Sequence, residues 1–176
     1  SLTDDELEDK IVETNIIEPD NQVFVFSKGK NIDKIFSNSI KDLETKHFAS
    51  YLLPFLSKVS RRDLKKNVFI HLRENYFDLF IYQGSLLLLF NSYPHDNEQD
   101  FLYYLFFVLE QFYLKPNQFQ AYFLGKFEKY KKYYIAFEKF HIQTNFTQPK
   151  NPEIESNHPA PFFNYFFDHE NNSGEI

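Results

Sequence analysis

Arg73 and Lys126 are the basic side chains that could draw an anion, and His71 is the histidine whose strand position would suit a catalytic base. The plainer assignment for His71 is a hydrogen-bonded core residue. Six histidines, at 47, 71, 95, 141, 158 and 169, show neither HExxH nor paired i, i+4 spacing, so no metal centre is expected. No GxSxG motif or Ser/His/Asp arrangement is visible. The chain has no cysteine, which excludes disulfides, thiol catalysis and thiolate metal sites. Its four glycines, at 29, 84, 125 and 174, are too few and too scattered to form a phosphate cradle of backbone amides. Two-metal nuclease chemistry needs several converging carboxylates. Asp78 and Glu110 alone do not supply them and read more simply as a solvated strand residue and a helix-surface residue. The run KFEKYKKYY, from Lys126, could stack tyrosines on single-stranded nucleic acid. The simpler assignment is an amphipathic helix with lysines outside and tyrosines on its core side.

The elements that must position these residues lie between Asn67 and Phe123. NVFIHLR alternates Val68, Ile70 and Leu72 against Phe69, His71 and Arg73, the period of two of a pleated strand. YFDLFIY repeats the pattern after a turn at Glu74-Asn75, and SLLLLFNSY follows a turn at Gln83-Gly84, where Asn and Gly would accept positive φ. Leu86 to Phe90 is apolar throughout, so both faces of this strand are expected to be covered. The period then changes. Phe101, Leu102, Leu105, Phe106, Val108, Leu109 and Phe112 mark a helix that Asn97 and Asp100 cap and Lys115-Pro116-Asn117 stops. Phe119–Leu124 should return parallel to the first of these strands, followed by a basic helix over Lys126–Phe137 and a fifth strand over His141–Phe146. The order β-β-β-α-β-α-β is that of the α/β ribonuclease-H-like fold.

Upstream, Thr3 and Glu6 form a capping box ahead of an acidic helix over Leu2–Asn15. Gln22–Ser27 and Asp33–Asn38 read as strands joined by a Lys28–Asn31 turn. Lys46–Lys58 reads as a helix that Pro54 kinks or breaks near Leu53. The charged connector Ser60–Lys66 is the expected lobe boundary, giving an N-terminal α+β portion over 1–60 and a lobe over 61–148. Residues 149–176 form an extended acidic tail, whose PFFNYFF run is too apolar to stay in water and should pack back as a short closing element or serve as an interface.

Hydrophobic residues are 43% of the 176, enough for one domain with a real core or two small lobes. The net charge of −6 is uneven: Ser1–Asp20 holds eight acids and one base, whereas Lys115–Lys150 holds seven Lys and two Glu. An acidic whole disfavours nonspecific binding to nucleic acid or anionic membranes. No apolar run reaches the ~20 residues of a membrane span, no signal peptide is visible, and the missing cysteines fit a cytoplasmic protein. A chain that starts at Ser1 and lacks methionine is expected to be missing N-terminal sequence.

The segments FDLFIYQGSLLLLFNSY, DFLYY and ETKHFAS resemble an uncharacterised family of Bacteroidota proteins, domain-of-unknown-function family 3822, whose fold is actin-like. The resemblance covers most of Leu2–Phe146 and implies the actin-like ATPase fold. An active member of that fold ends the first strand of each lobe in a D-x-G type turn and follows strand four with a Gly-Gly turn near the nucleoside. The corresponding residues here are Ile70-His71-Leu72-Arg73 and Leu124-Gly125-Lys126-Phe127. His71, Arg73, Gly125 and Lys126 are therefore the candidate cofactor-binding positions of a degenerate site, with no catalytic residue and no resident cofactor expected. The implied function is non-catalytic, through an unidentified protein partner or a second copy. The alternatives are an ATPase completed by an absent N-terminal segment and nucleic-acid binding through the Lys126–Lys132 helix.

Overall fold

A computed structural model describes residues 10–17, 22–30, 46–61, 65–140 and 142–147. The chain divides into two compact units, Ser1–Phe55 and Leu56–Ile176.

In the first unit, β1 (Lys10–Ile17) pairs antiparallel with β2 (Gln22–Gly29), from Lys10 opposite Gly29 to Ile17 opposite Gln22. The helix expected over Leu2–Asn15 is thus a strand from Lys10 onward. Ile11, Val12, Thr14, Ile16 and Ile17 are β-branched and stiff at χ1, and their partner strand outweighs a capping signal that begins seven residues before Lys10. Residues 1–9 and the expected strand Asp33–Asn38 lie outside the described residues. The helix α1 (Phe48–Ser60), which starts in the first unit and continues into the second, runs unbroken through Pro54; of the expected kink or break, this excludes the break. Asn15 Oδ1 anchors its start by accepting the His47 N–H (3.0 Å) and the Ser50 hydroxyl (2.8 Å).

The second unit is built on a five-stranded sheet of β3 (Lys66–Leu72), β4 (Tyr76–Gln83), β5 (Leu86–Pro94), β6 (Phe119–Leu124) and β7 (Thr144–Thr147). Its spatial order is β5-β4-β3-β6-β7, with β3 antiparallel to β4 and parallel to β6. The crossover is α2 (Glu98–Gln111), and α3 (Lys131–Glu138) joins β6 to β7 after a 3₁₀ turn at Glu128–Tyr130. Both helices cover one face of the sheet, where Phe101, Leu105, Tyr133 and Phe137 meet Val68, Ile70, Leu79 and Phe123. Burial of such side chains, at roughly 1.5–3 kcal/mol each, is the main force holding this layer together. Asn97 caps α2 as its position indicates, accepting from the Gln99 and Asp100 amides at 2.9 Å.

Five local expectations change. The apolar β5 is an edge strand, with Leu86 61% exposed, because runs of leucine do not distinguish an edge from a centre. Asn75 does not adopt positive φ, whereas Gly84 does, at +58°. The segment from Lys126 becomes helical only at Glu128, and the last strand is Thr144–Thr147 rather than His141–Phe146. Finally, α2 ends before Lys115. Tyr113 takes the left-handed position (φ 54°) usually held by glycine, its amide meets Glu110 O, and the Leu114 amide meets Leu109 O.

Candidate functional site

Ligands of open α/β sheets bind beyond the carboxyl ends of the parallel strands. Here β3 and β6 run in register, Ile70 opposite Phe123, so Arg73 and Lys126 leave the sheet at one edge and the same level. The two strands end in very different loops.

Beyond β3, strand pairing sets His71, Asp78 and Ser92 side by side across three strands. His71 Nδ1 lies 2.9 Å from Asp78 Oδ2, while Arg73 Nη2 (2.8 Å) and Ser92 Oγ (2.5 Å) both donate to Asp78 Oδ1. His71 and Asp78 are buried. Burial pushes the His71 pKa down and outweighs the neighbouring carboxylate, so the ring is neutral and gives its Nδ1 proton to Asp78. Burial pushes Asp78 upward, but the bonds from His71 and Ser92 and the positive charge of Arg73 together hold it below the ordinary carboxylate range. The result is one ionised carboxylate neutralised by one guanidinium. Ser92 bonds the carboxylate and not the imidazole, so the three residues are not wired as a hydrolytic triad.

Asp78 is therefore not the solvated strand residue expected from its type. The alternation had already put it on the face of Phe80 and Tyr82, and the Glu74-Asn75 turn sets it opposite His71; combining the two signals locates the cluster. Glu110 is exposed on α2, as expected.

Beyond β6, Gly125 takes φ +84°. Its N–H is engaged by Thr147, at 3.1 Å from the carbonyl and 3.3 Å from Oγ1. A Cβ on Gly125 would sit 2.3 Å from the Phe127 ring, so the space a cradle would leave open holds an aromatic side chain of the same turn. Tyr134 Oη accepts the Phe127 N–H (3.1 Å) and faces Gly125 O (3.4 Å). Lys126 Nζ lies 5.0 Å from the centroid of Phe146, itself stacked on Phe123, which puts Lys126 on the helix-covered side of the sheet. Arg73 lies on the opposite side with His71 and Asp78. The four candidate positions thus share an edge but form two pairs on opposite faces.

His95, not singled out in the sequence, joins the hairpin to α3. Its N–H meets Asn75 O at 2.9 Å and its Nδ1 lies 3.1 Å from Tyr133 Oη. Burial lowers its pKa, partly offset by the Tyr76 and Arg73 carbonyls. Tyr130, Tyr133 and Tyr134 are buried on the core side, while Lys131 and Lys132 bridge Glu128 (2.9 Å) and Glu98 (3.1 Å). Among the described residues no three His, Asp or Glu side chains gather as a metal site, and no helix is long and apolar enough to cross a membrane.

Residues 1–143 match the family described as "Protein of unknown function (DUF3822)". The chain belongs to this family. Its fold matches a Bacteroides thetaiotaomicron protein with an actin-like ATPase fold and unknown function, at TM-score 0.72 and 23% identity. The match covers 82% of this chain and 56% of that protein, so this DUF3822 chain spans little more than half the length of its structural relative. No curated protein matches it. The architecture is therefore the actin-like ATPase fold: a five-stranded mixed sheet with an additional N-terminal hairpin.

Proposed function

We propose that this DUF3822 chain is an actin-like-fold protein without a working nucleotide site, acting in the cytoplasm by binding other proteins. One observation carries the proposal: at Gly125 the amide is engaged by Thr147 and the cradle space is filled by Phe127. A phosphate there would have to break the first contact and expel the second. Across the edge, Asp78 already has Arg73 as its counter-charge, so a magnesium ion would compete with a built-in cation. Titration calorimetry of the full-length protein with ATP and magnesium is expected to give no binding heat. Micromolar binding accompanied by hydrolysis would overturn the proposal.

A second reading is an ATPase whose phosphate contacts lie mainly in sequence outside this chain. It is favoured by the greater length of the structural relative. A D-x-G turn after a strand upstream of Ser1 would support it.

A further inference from the structure

The outer face of the α2–α3 layer is unusually apolar for a surface that normally carries polar residues. Tyr103, Phe107, Ile135 and Phe140 are 45–67% exposed. The half-buried Phe106 links the two helices, its ring centroid 4.4 Å from that of Phe140, and Tyr103 and Phe107, four residues apart, lie on the same side of α2. The basic end of the molecule frames this patch. Lys126, Lys129, Lys131, Lys132 and Lys139 stand against Glu128, Glu138 and the Glu98 of α2 that bridges Lys132, a surplus of two positive charges.

The sequence contains one segment of matching chemistry. The tail from Asn151 carries five acids and no Lys or Arg, and at its centre is Pro161–Phe167, PFFNYFF. It is anchored at the right place. β7 ends at Thr147, whose carbonyl accepts the Gly125 N–H at the edge where α3 begins. Thirteen residues then precede Pro161. That spacer reaches about 40 Å when extended, whereas α3 is only about 12 Å long. We infer that the α2–α3 face is a docking surface for the chain's own Phe-rich tail, with Phe side chains over Phe107, Ile135 and Phe140 and the tail acids facing the α3 lysines. Aromatic burial supplies the affinity and the opposite charges select the register.

Because residues 1–176 hold no cysteine, a single Asn164→Cys can carry a nitroxide spin label in this chain. The expected result is loss of the amide signals of Tyr103, Phe107, Ile135 and Phe140 within one molecule. The signals should return when Phe166 and Phe167 are both replaced by Ser, and in part with Lys131→Glu plus Lys139→Glu. No loss at these amides, or loss elsewhere, overturns the inference. So does loss transmitted only from a labelled chain to an unlabelled one, because the occupant would then be a second copy. None of these outcomes depends on whether nucleotide binds.

Discussion

The hairpin after β3 and the turn after β6 leave the sheet at the same edge, yet charge closes one and volume closes the other. In the hairpin, three donors converge on the buried Asp78 carboxylate, and Arg73 neutralises it. In the turn, a glycine with φ +84° lets the Phe127 ring fold into the place of its missing side chain. A charge-closed loop fails when its carboxylate is removed or its histidine is protonated. A volume-closed loop fails when an atom is added.

The largest effect is expected from Asp78→Ala. It removes the Asp78 acceptor from the buried His71 and the Asp78 charge from Arg73, at a cost of about 3 kcal/mol. That is the lower part of the range for a broken buried pair, since the Arg73 side chain is 41% exposed and can turn to water. Urea denaturation should show a lower midpoint with an unchanged slope, and Asp78→Asn should lose less because it keeps the shape and an acceptor. A loss as small as that of a surface substitution would mean that the network does not close the hairpin.

Gly125→Ala tests the other loop and should cost about 2 kcal/mol, from the left-handed backbone together with displacement of the Phe127 ring. A double-mutant cycle with Phe127→Ala separates the two causes. If volume is what matters, the pair is less destabilised than the sum of the singles, because removing the ring makes room for the new methyl. Strict additivity would assign the whole cost to backbone strain.

Acid should act on the hairpin and not on the turn. His71 and His95 are both held below the 6.5 of an unburied histidine, so the unfolded chain binds more protons as the pH falls below that value. The stability these groups contribute is present above pH 6.5 and is lost as the pH falls from there toward their folded-state values. Each contributes a slope of at most about 1.4 kcal/mol per pH unit. His71→Gln should flatten the loss measured by denaturation between neutral and mildly acidic pH, whereas Phe127→Ala should leave that slope unchanged.

The sheet of the second unit was readable because β3 and β4 alternate, β5 opens as a continuous apolar run and α2 shifts to a period of 3.6, signals carried by many residues at once. Single-residue decisions were less legible. The β1 residues Lys10–Ile17 carry β-branched side chains, but the capping box at Thr3 and Glu6 suggested a helix that would extend through them. Tyr113 closes α2 in a conformation that residue type points away from. Asp78 looked solvated because its burial depends on partners from three strands, and the sequence shows them separately. The filling of the Gly125 turn by Phe127 was not visible either. A glycine marks only that room exists, not what occupies it.

Tyr134→Phe is the mildest perturbation and tests most directly whether the two loops are independent. The hydroxyl accepts the Phe127 N–H at 3.1 Å, and removing it leaves that amide without this partner at a cost of about 1 kcal/mol. Burial pushes the phenol up to about 12, so the neutral form is favoured in the folded state. The stability it contributes is complete below pH 10 and is lost as the pH rises from 10 toward that value, a window the variant should not show. Hydrogen exchange at Phe127 should speed up in the variant while exchange across β3 and β4 stays at the wild-type rate. If both loops loosen together, the Tyr133–His95 contact ties them into one unit, and loss of either closure opens the whole edge.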